Sequence, residues 1–151
     1  KWVNDIYISD KKVCGILTEA SFNIETGKLD YAIVGIGINI CYPDGGFPDN
    51  INDIATAVFD SNTDTVNKRS ILIAHLLDYF MDYYENFDKK SYVDEYIKRS
   101  MLIGRRIYIV NGDDKIPVTA KEIDRDCRLK VEYEDGSEKW LSSGEVSIKI
   151  K

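Results

Sequence analysis

The sequence predicts an α+β chain: a mainly antiparallel sheet with packed helices, followed by a small β-barrel. Three observations carry this. Residues 5–40 alternate apolar and polar as strands do, a helical periodicity runs from about 66 to 87, and residues 104–151 break into short β-type runs divided by turn clusters. An apolar content of 44% across 151 residues is sufficient for a packed core.

The first elements are DIYIS, VCGILTEASF and LDYAIVGIGINI, joined by the polar connectors DKK and NIETGK, which predicts a three-stranded antiparallel meander. YAIVGIGINI is the most continuously apolar stretch and is expected to be a central strand or one buried on both sides. Pro43, Gly45, Gly46 and Pro48 then enforce a loop over 41–50, and a short helical patch is expected over Ile51 to Phe59. SNTDTVNKR offers Thr and Asp as caps for the long helix, whose Ile73, Leu76, Leu77, Phe80, Tyr84 and Phe87 form one apolar face, expected to pack on the sheet. SYVDEYIKRSM reads as a second helix, ended by Gly104. RRIYIV, KIPVTAKEID, RLKVEYE, EKWLS and EVSIKI are five strands in the spacing of an SH3-like barrel, with Gly112 and Gly136 in turns. The domain boundary therefore falls near Gly104, giving domains 1–103 and 104–151.

The net charge is −6 and unevenly placed: residues 1–103 carry 10 Lys/Arg against 16 Asp/Glu, and residues 104–151 carry 10 of each. That balance lacks the basic footprint of a nucleic-acid binder. No apolar run approaches the roughly 18 residues of a membrane span, and no segment has a signal-peptide layout. Cys14, Cys41 and Cys127 are odd in number and form no CxxC pair, so they read as reduced thiols of a cytoplasmic protein.

The inventory for chemistry is short. His75 is the single histidine and sits on the polar edge of the long helix, which sets aside a His-based triad or a Cys/His zinc site. No GxxxxGK[ST] loop exists, and GIGIN carries only two glycines of a dinucleotide fingerprint. Three stretches stand out. KWVND combines a mobile cation at Lys1, a donor and acceptor at Asn4, and a hard oxygen ligand suited to Mg²⁺ at Asp5. KKVCGIL places a turn lysine, Lys12, three residues before Gly15, and glycine inside a strand marks close approach to the backbone. GIGIN interrupts an apolar strand with Gly35, Gly37 and Asn39. Gathered at one end of a sheet, these suit a phosphate-bearing ligand and its magnesium.

KWVND, KKVCGIL with its following TEASF, and GIGINI, in that order and spacing, resemble the KWPND, K-x-x-G-I-L-x-E and G-x-G-x-N motifs of biotin protein ligases. FPDNINDIATAV resembles the family's segment before its long helix, and GRRIYIV to EVSIKI its C-terminal SH3-like domain. The family's proteins continue upstream of KWPND, so the chain is expected to hold the second part of a class II synthetase-like catalytic domain and all of the C-terminal domain.

The resemblance implies two-step chemistry. Biotin and ATP form biotinyl-AMP, and biotin then passes to a lysine on the biotin-carrier domain of a biotin-dependent carboxylase. Lys12, Lys1 and Asp5 are implied as catalytic, with Asp5 on Mg²⁺. Biotin contacts are implied for Lys12, Gly15, Ile16 and Leu17. ATP contacts are implied for Lys1, Asn4, Asp5, Lys12, Gly35, Gly37, Ile38 and Asn39. Val3 departs from the motif's proline, and Cys14 stands where alanine is frequent. Without the family's upstream biotin loop the chain alone is expected to be inactive, and a homodimer is compatible with exposed sheet edges. Two other readings remain: a lipoate-attaching ligase, and a partner-binding module anchored by Trp140.

Overall fold

A computed structural model describes residues 1–60 and 65–148. By compactness the chain divides into Asn4–Leu72 and a second unit that joins Lys1–Val3 to the chain from Ile73 onward.

In the first unit, β1 (Asp5–Ile8), β2 (Lys11–Phe22) and β3 (Leu29–Ile38) form the expected antiparallel meander in the order β1-β2-β3. The β1–β2 turn is shorter than the sequence suggests. Ser9 and Asp10 both take positive φ, 50° and 62°, which completes a two-residue hairpin loop, so Lys11 and Lys12 belong to β2 and not to the turn. In the next turn the Asn23 side chain accepts from the amides of Glu25 and Thr26, at 3.1 and 2.9 Å.

Two expectations about this region fail. β3 is an edge strand, with β2 at the centre, and is exposed along most of its length, with Tyr31 at 58% and Ile33 at 57%. Its apolar run needs a cover that the described residues do not supply. Residues 51–59 do not form a helix: two successive turns carry the Asn52 amide to Pro48 O and the Ala55 amide to Ile51 O, and the chain then runs on through bridges at Ala55 and Phe59.

α1 spans Thr65–Glu85; the caps expected in SNTD lie outside the described residues. The aromatic stripe expected to pack on the sheet is instead open, with Leu77 at 54% and Tyr84 at 67% exposure. Amphipathicity shows that a face requires burial, not which surface buries it. Several rings shelter one another: Phe80 stacks on Tyr84 at 6.1 Å and Phe87 on Tyr92 at 5.6 Å. After a 3₁₀ turn at Phe87–Lys89, α2 (Ser91–Lys98) leads to Gly104, whose φ of +79° suits the break before the next strand.

The remaining strands are β4 (Arg106–Asn111), β5 (Asp114–Ile123), β6 (Leu129–Tyr133), β7 (Glu138–Leu141) and β8 (Glu145–Ile148), in the order β7-β6-β5-β4-β8. All five expected strands are present, but the sheet is not closed into a barrel. Among the described residues no ladder joins β7 to β8, and these two edge strands have only four residues each with which to make one. Lys121 is an extra residue in β5, between the Ala120–Val131 and Glu122–Lys130 pairs, and it brings Ala120 and Ile123 to the same buried face.

The core of this unit contains Leu102, Ile107, Val118, Leu129, Val131 and Val146, with Trp2 buried among them. Trp2 donates its indole N–H to the carbonyl of Cys127 at 2.8 Å, so its polar edge is satisfied. Beside it the Tyr96 hydroxyl donates to Val3 O at 3.3 Å; burial, and then the nearby Cys127, push that phenol up to about 12.

Trp2→Ala is expected to destabilise this unit by about 3–5 kcal/mol. Urea denaturation followed by the fluorescence of Trp140 measures it, and an unchanged midpoint would show that Trp2 is not a core residue.

Candidate functional site

A single extra residue in β2 organises the site. Asp5 pairs with Gly15 and Ile6 with Cys14, but Tyr7 pairs with Lys12, so Val13 has no partner on β1. In a regular strand, residues three apart point to opposite faces. The bulge at Val13 cancels that alternation and turns Lys12 onto the face of Gly15 and Asp5. There Lys12 Nζ lies 2.6 Å from Asp5 Oδ1, the lysine side chain about half exposed and the carboxylate only 12% exposed.

Gly15 leaves room for that arrangement. A Cβ at this position would stand 3.2 Å from both Cε and Nζ of Lys12 and 3.6 Å from Asp5 Oδ1. Gly15 pairs in turn with Gly37, so one row across the sheet reads Asp5, Gly15, Gly37: a carboxylate and then two bare backbone positions. A Cβ at Gly35 or Gly37 would meet only ordinary contacts, at 3.7 and 3.8 Å, so these glycines clear the sheet surface and do not relieve strain.

Two cavities adjoin this row and share Lys12, Gly15 and Gly37. One, of about 440 Å³, is also lined by Tyr7, Cys14, Ile38, Asn39, Ile54 and Ala55. The other, of about 470 Å³, is also lined by Asn4, Asp5, Ile16, Leu17, Gly35 and Ile36. A cation thus stands where two ligand-sized spaces meet.

The structure gathers ten of the eleven residues singled out in the sequence along these cavities: Asn4, Asp5, Lys12, Gly15, Ile16, Leu17, Gly35, Gly37, Ile38 and Asn39. Lys1 falls in the other compact unit. Two of the asparagines are occupied with the protein itself. Asn4 donates its side-chain amide to Ile16 O at 2.6 Å while its carbonyl accepts from Ile16 N at 2.9 Å, tying the entry of β1 to β2. Asn39 donates its side-chain amide to Thr56 O at 3.0 Å.

Sequence reasoning missed Tyr7, which read only as a strand residue, and it missed Ile51, Ile54 and Ala55 because a helix was expected over 51–59. The signal for 51–59 was the small, mostly apolar run IATAV, which an extended chain buries easily: Ala55 and Ala57 are both buried. The Cys14 thiol is pushed up from its ordinary value by burial first and by the Asp5 carboxylate second, with Lys12 acting against them.

No cluster of three or more potential metal-ligating side chains occurs among the described residues. Asp5 is the one carboxylate lining the two cavities, and it is paired with Lys12. Among the described residues Asp5 could supply one ligand to a magnesium ion, whose other ligands would come from a nucleotide's phosphates and water.

The arrangement is an α+β fold with a cation between two cavities, and comparison with known proteins shows which family it resembles. Residues 1–39 match the Biotin/lipoate A/B protein ligase family, and residues 102–149 match the Biotin protein ligase C terminal domain. The bifunctional ligase/repressor BirA of Bacillus spizizenii is 37% identical over 87 residues, 58% of this chain and 26% of that protein. BirA of Escherichia coli is 25% identical over 158 residues, 99% of this chain and 46% of that one. The biotin protein ligase from Aquifex aeolicus, solved in complex with biotin and ATP, superposes with a TM-score of 0.72 at 26% identity, over 97% of this chain and 59% of that one. These matches support membership of the biotin protein ligases over residues 1–39 and 102–149, and the chain spans less than half the length of these two BirA proteins.

Two outcomes test the site's geometry. Gly15→Ala is expected to stay within about 1 kcal/mol of wild-type stability, while a crystal structure of the variant shows Lys12 Nζ displaced from Asp5; an unmoved ion pair would refute the steric account. Cys14 is expected to alkylate with iodoacetamide at pH 8 at least about tenfold more slowly than the more accessible Cys41, and equal labelling of the two in a peptide map would contradict its burial.

Proposed function

We propose that the protein containing this chain is a cytoplasmic biotin protein ligase. In the first step a carboxylate oxygen of biotin attacks the α-phosphorus of ATP, forming biotinyl-AMP and expelling pyrophosphate. In the second, the amine of a lysine on a carboxylase's biotin-carrier domain attacks the carbonyl of that mixed anhydride, forming an amide, losing a proton and releasing AMP.

The observation that carries this reading is the ammonium of Lys12, set over Gly15 where the two cavities meet. The first step brings together two anions, a carboxylate and the α-phosphate, and then builds charge on the leaving pyrophosphate. A fixed cation between their sites offsets the repulsion and stabilises the transition state. Asp5 engages one of the three ammonium donors, which leaves two directions for ligand oxygens.

In this reading biotin lies along Gly15, Ile16 and Leu17 with its carboxylate on Lys12. The nucleotide lies against Gly35, Gly37, Ile38 and Asn39, with Asn4 near it and Lys1 meeting the phosphates. Asp5 adds one ligand to the Mg²⁺ that ATP carries. Residues 1–103 contribute to the catalytic domain and 104–151 form an SH3-like C-terminal domain. Self-association along the exposed outer edge of β3 belongs to the same reading.

Activity is assigned to the full-length protein. The chain spans only 59% of the ligase solved with biotin and ATP, and the 151 residues alone are expected to release pyrophosphate poorly. In the full-length protein, Lys12→Ala is expected to lower biotin-dependent pyrophosphate release from ATP by several hundredfold or more, with the fold retained. Release unchanged by the substitution would remove Lys12 from the chemistry, and release driven by lipoate in place of biotin would reassign the substrate.

A further inference from the structure

Lys12 sits beyond the end of the β2–β3 ladder. The last pair is Cys14 with Ile38, and the bulge at Val13 has turned the backbone away from its regular course. Its main-chain groups must therefore be satisfied elsewhere. The Lys12 amide donates to Ile54 O at 2.7 Å, and the Thr56 amide donates to Lys12 O at 2.9 Å, a short parallel bridge that replaces β3.

Thr56 does more than close that bridge. Its carbonyl accepts the Asn39 side-chain amide at 3.0 Å, and its hydroxyl lies 2.8 Å from the Tyr42 hydroxyl. Tyr42 in turn packs its ring on Phe47, centroids 5.4 Å apart, inside the Pro-Gly loop. One residue thus holds the backbone of Lys12 on one side and the side chain of Asn39 on the other. Its neighbours Ile54 and Ala55 form a wall of the 440 Å³ cavity.

We propose that Thr56 is a positioning residue, fixed by its hydroxyl contact with Tyr42, that sets Lys12 and Asn39 in one geometry. A main-chain bridge of two hydrogen bonds leaves the peptide free to rock. The side-chain contact at Thr56 fixes the orientation in which its N–H reaches Lys12 and its C=O reaches Asn39. That Lys12 and Asn39 meet the reacting anions rests on the ligase reading; that Thr56 holds them does not.

The test uses Thr56→Val, Thr56→Ser, Tyr42→Phe and the double variant Tyr42→Phe/Thr56→Val in the full-length protein, with two readouts. By amide hydrogen exchange, the peptides covering 11–14 and 54–59 are expected to exchange about tenfold faster in Thr56→Val and in Tyr42→Phe, with β4–β8 peptides unchanged and Thr56→Ser restored to wild type. By kinetics, both single variants are expected to lower kcat for biotin-dependent pyrophosphate release about tenfold with little change in KM, and the double variant no further, since one hydrogen bond is lost in each.

Unaltered exchange in those two segments would overturn the proposal whatever the kinetics. Additive losses in the double variant would overturn the shared contact. Wild-type kcat in an active Thr56→Val enzyme would refute positioning while leaving the ligase reading intact. A wild type that releases no pyrophosphate with biotin would refute the ligase reading, and the exchange result alone would then decide what Thr56 holds.

Discussion

The extra residue at Val13 is the constraint on which the site depends. Without it the alternation of β2 would place Lys12 and Gly15 on opposite faces, and the lysine could not reach Asp5. With it, three consequences follow together. The ammonium lies across Gly15, where a side chain would crowd it. The carboxylate of Asp5, directly opposite Gly15, becomes the ammonium's partner. The main chain of Lys12, beyond the last β2–β3 pair, takes its hydrogen bonds from residues 54–56, which draws that segment in as a cavity wall.

Much of the fold was legible because strand alternation and turn chemistry are local. The meander, α2 and the five C-terminal strands follow from apolar periodicity bounded by Asn, Asp and Gly, and Gly112 and Gly136 do take positive φ. The bulges at Val13 and Lys121 were not legible. A bulge is defined by what the partner strand pairs with, and no residue type announces it. The residues that line the two cavities were singled out through spellings such as KKVCGIL, but why their spacing brings them together was hidden: Lys12 and Gly15 are three apart, a separation that strand periodicity alone would have rejected. The segment 51–59 was misread because Ile51, Ile54 and Ala55 fall at helical offsets, whereas tertiary hydrogen bonds to Lys12 and Asn39 hold most of it extended.

The exposed surfaces show the limit of reading burial from sequence. An apolar run establishes that a strand or helix face must be covered, and it is silent about the source of the cover. β3 and the stripe of α1 remain open among the described residues, while Trp2, close to the polar residues of KWVND, is almost wholly buried. The motif therefore has two physical roles. Its tryptophan belongs to the hydrophobic core around β4, β5, β6 and β8, and its asparagine and aspartate belong to the β1–β2 sheet.

The pairing of Lys12 with Asp5 explains why a lysine suits this place. A guanidinium would meet the carboxylate through a planar fork and commit two donors in one plane, whereas an ammonium is a point charge with three rotatable donors. One contact to Asp5 fixes the charge without exhausting it. The bare positions Gly15 and Gly37 let anionic groups approach that charge from both cavities. Asp5 also works against such anions through its own negative charge, so its value lies in holding the cation in place before ligands arrive. In the proposed ligase chemistry a cation already oriented need not reorganise as charge develops between the two cavities, and that preorganisation is how a single lysine would act there.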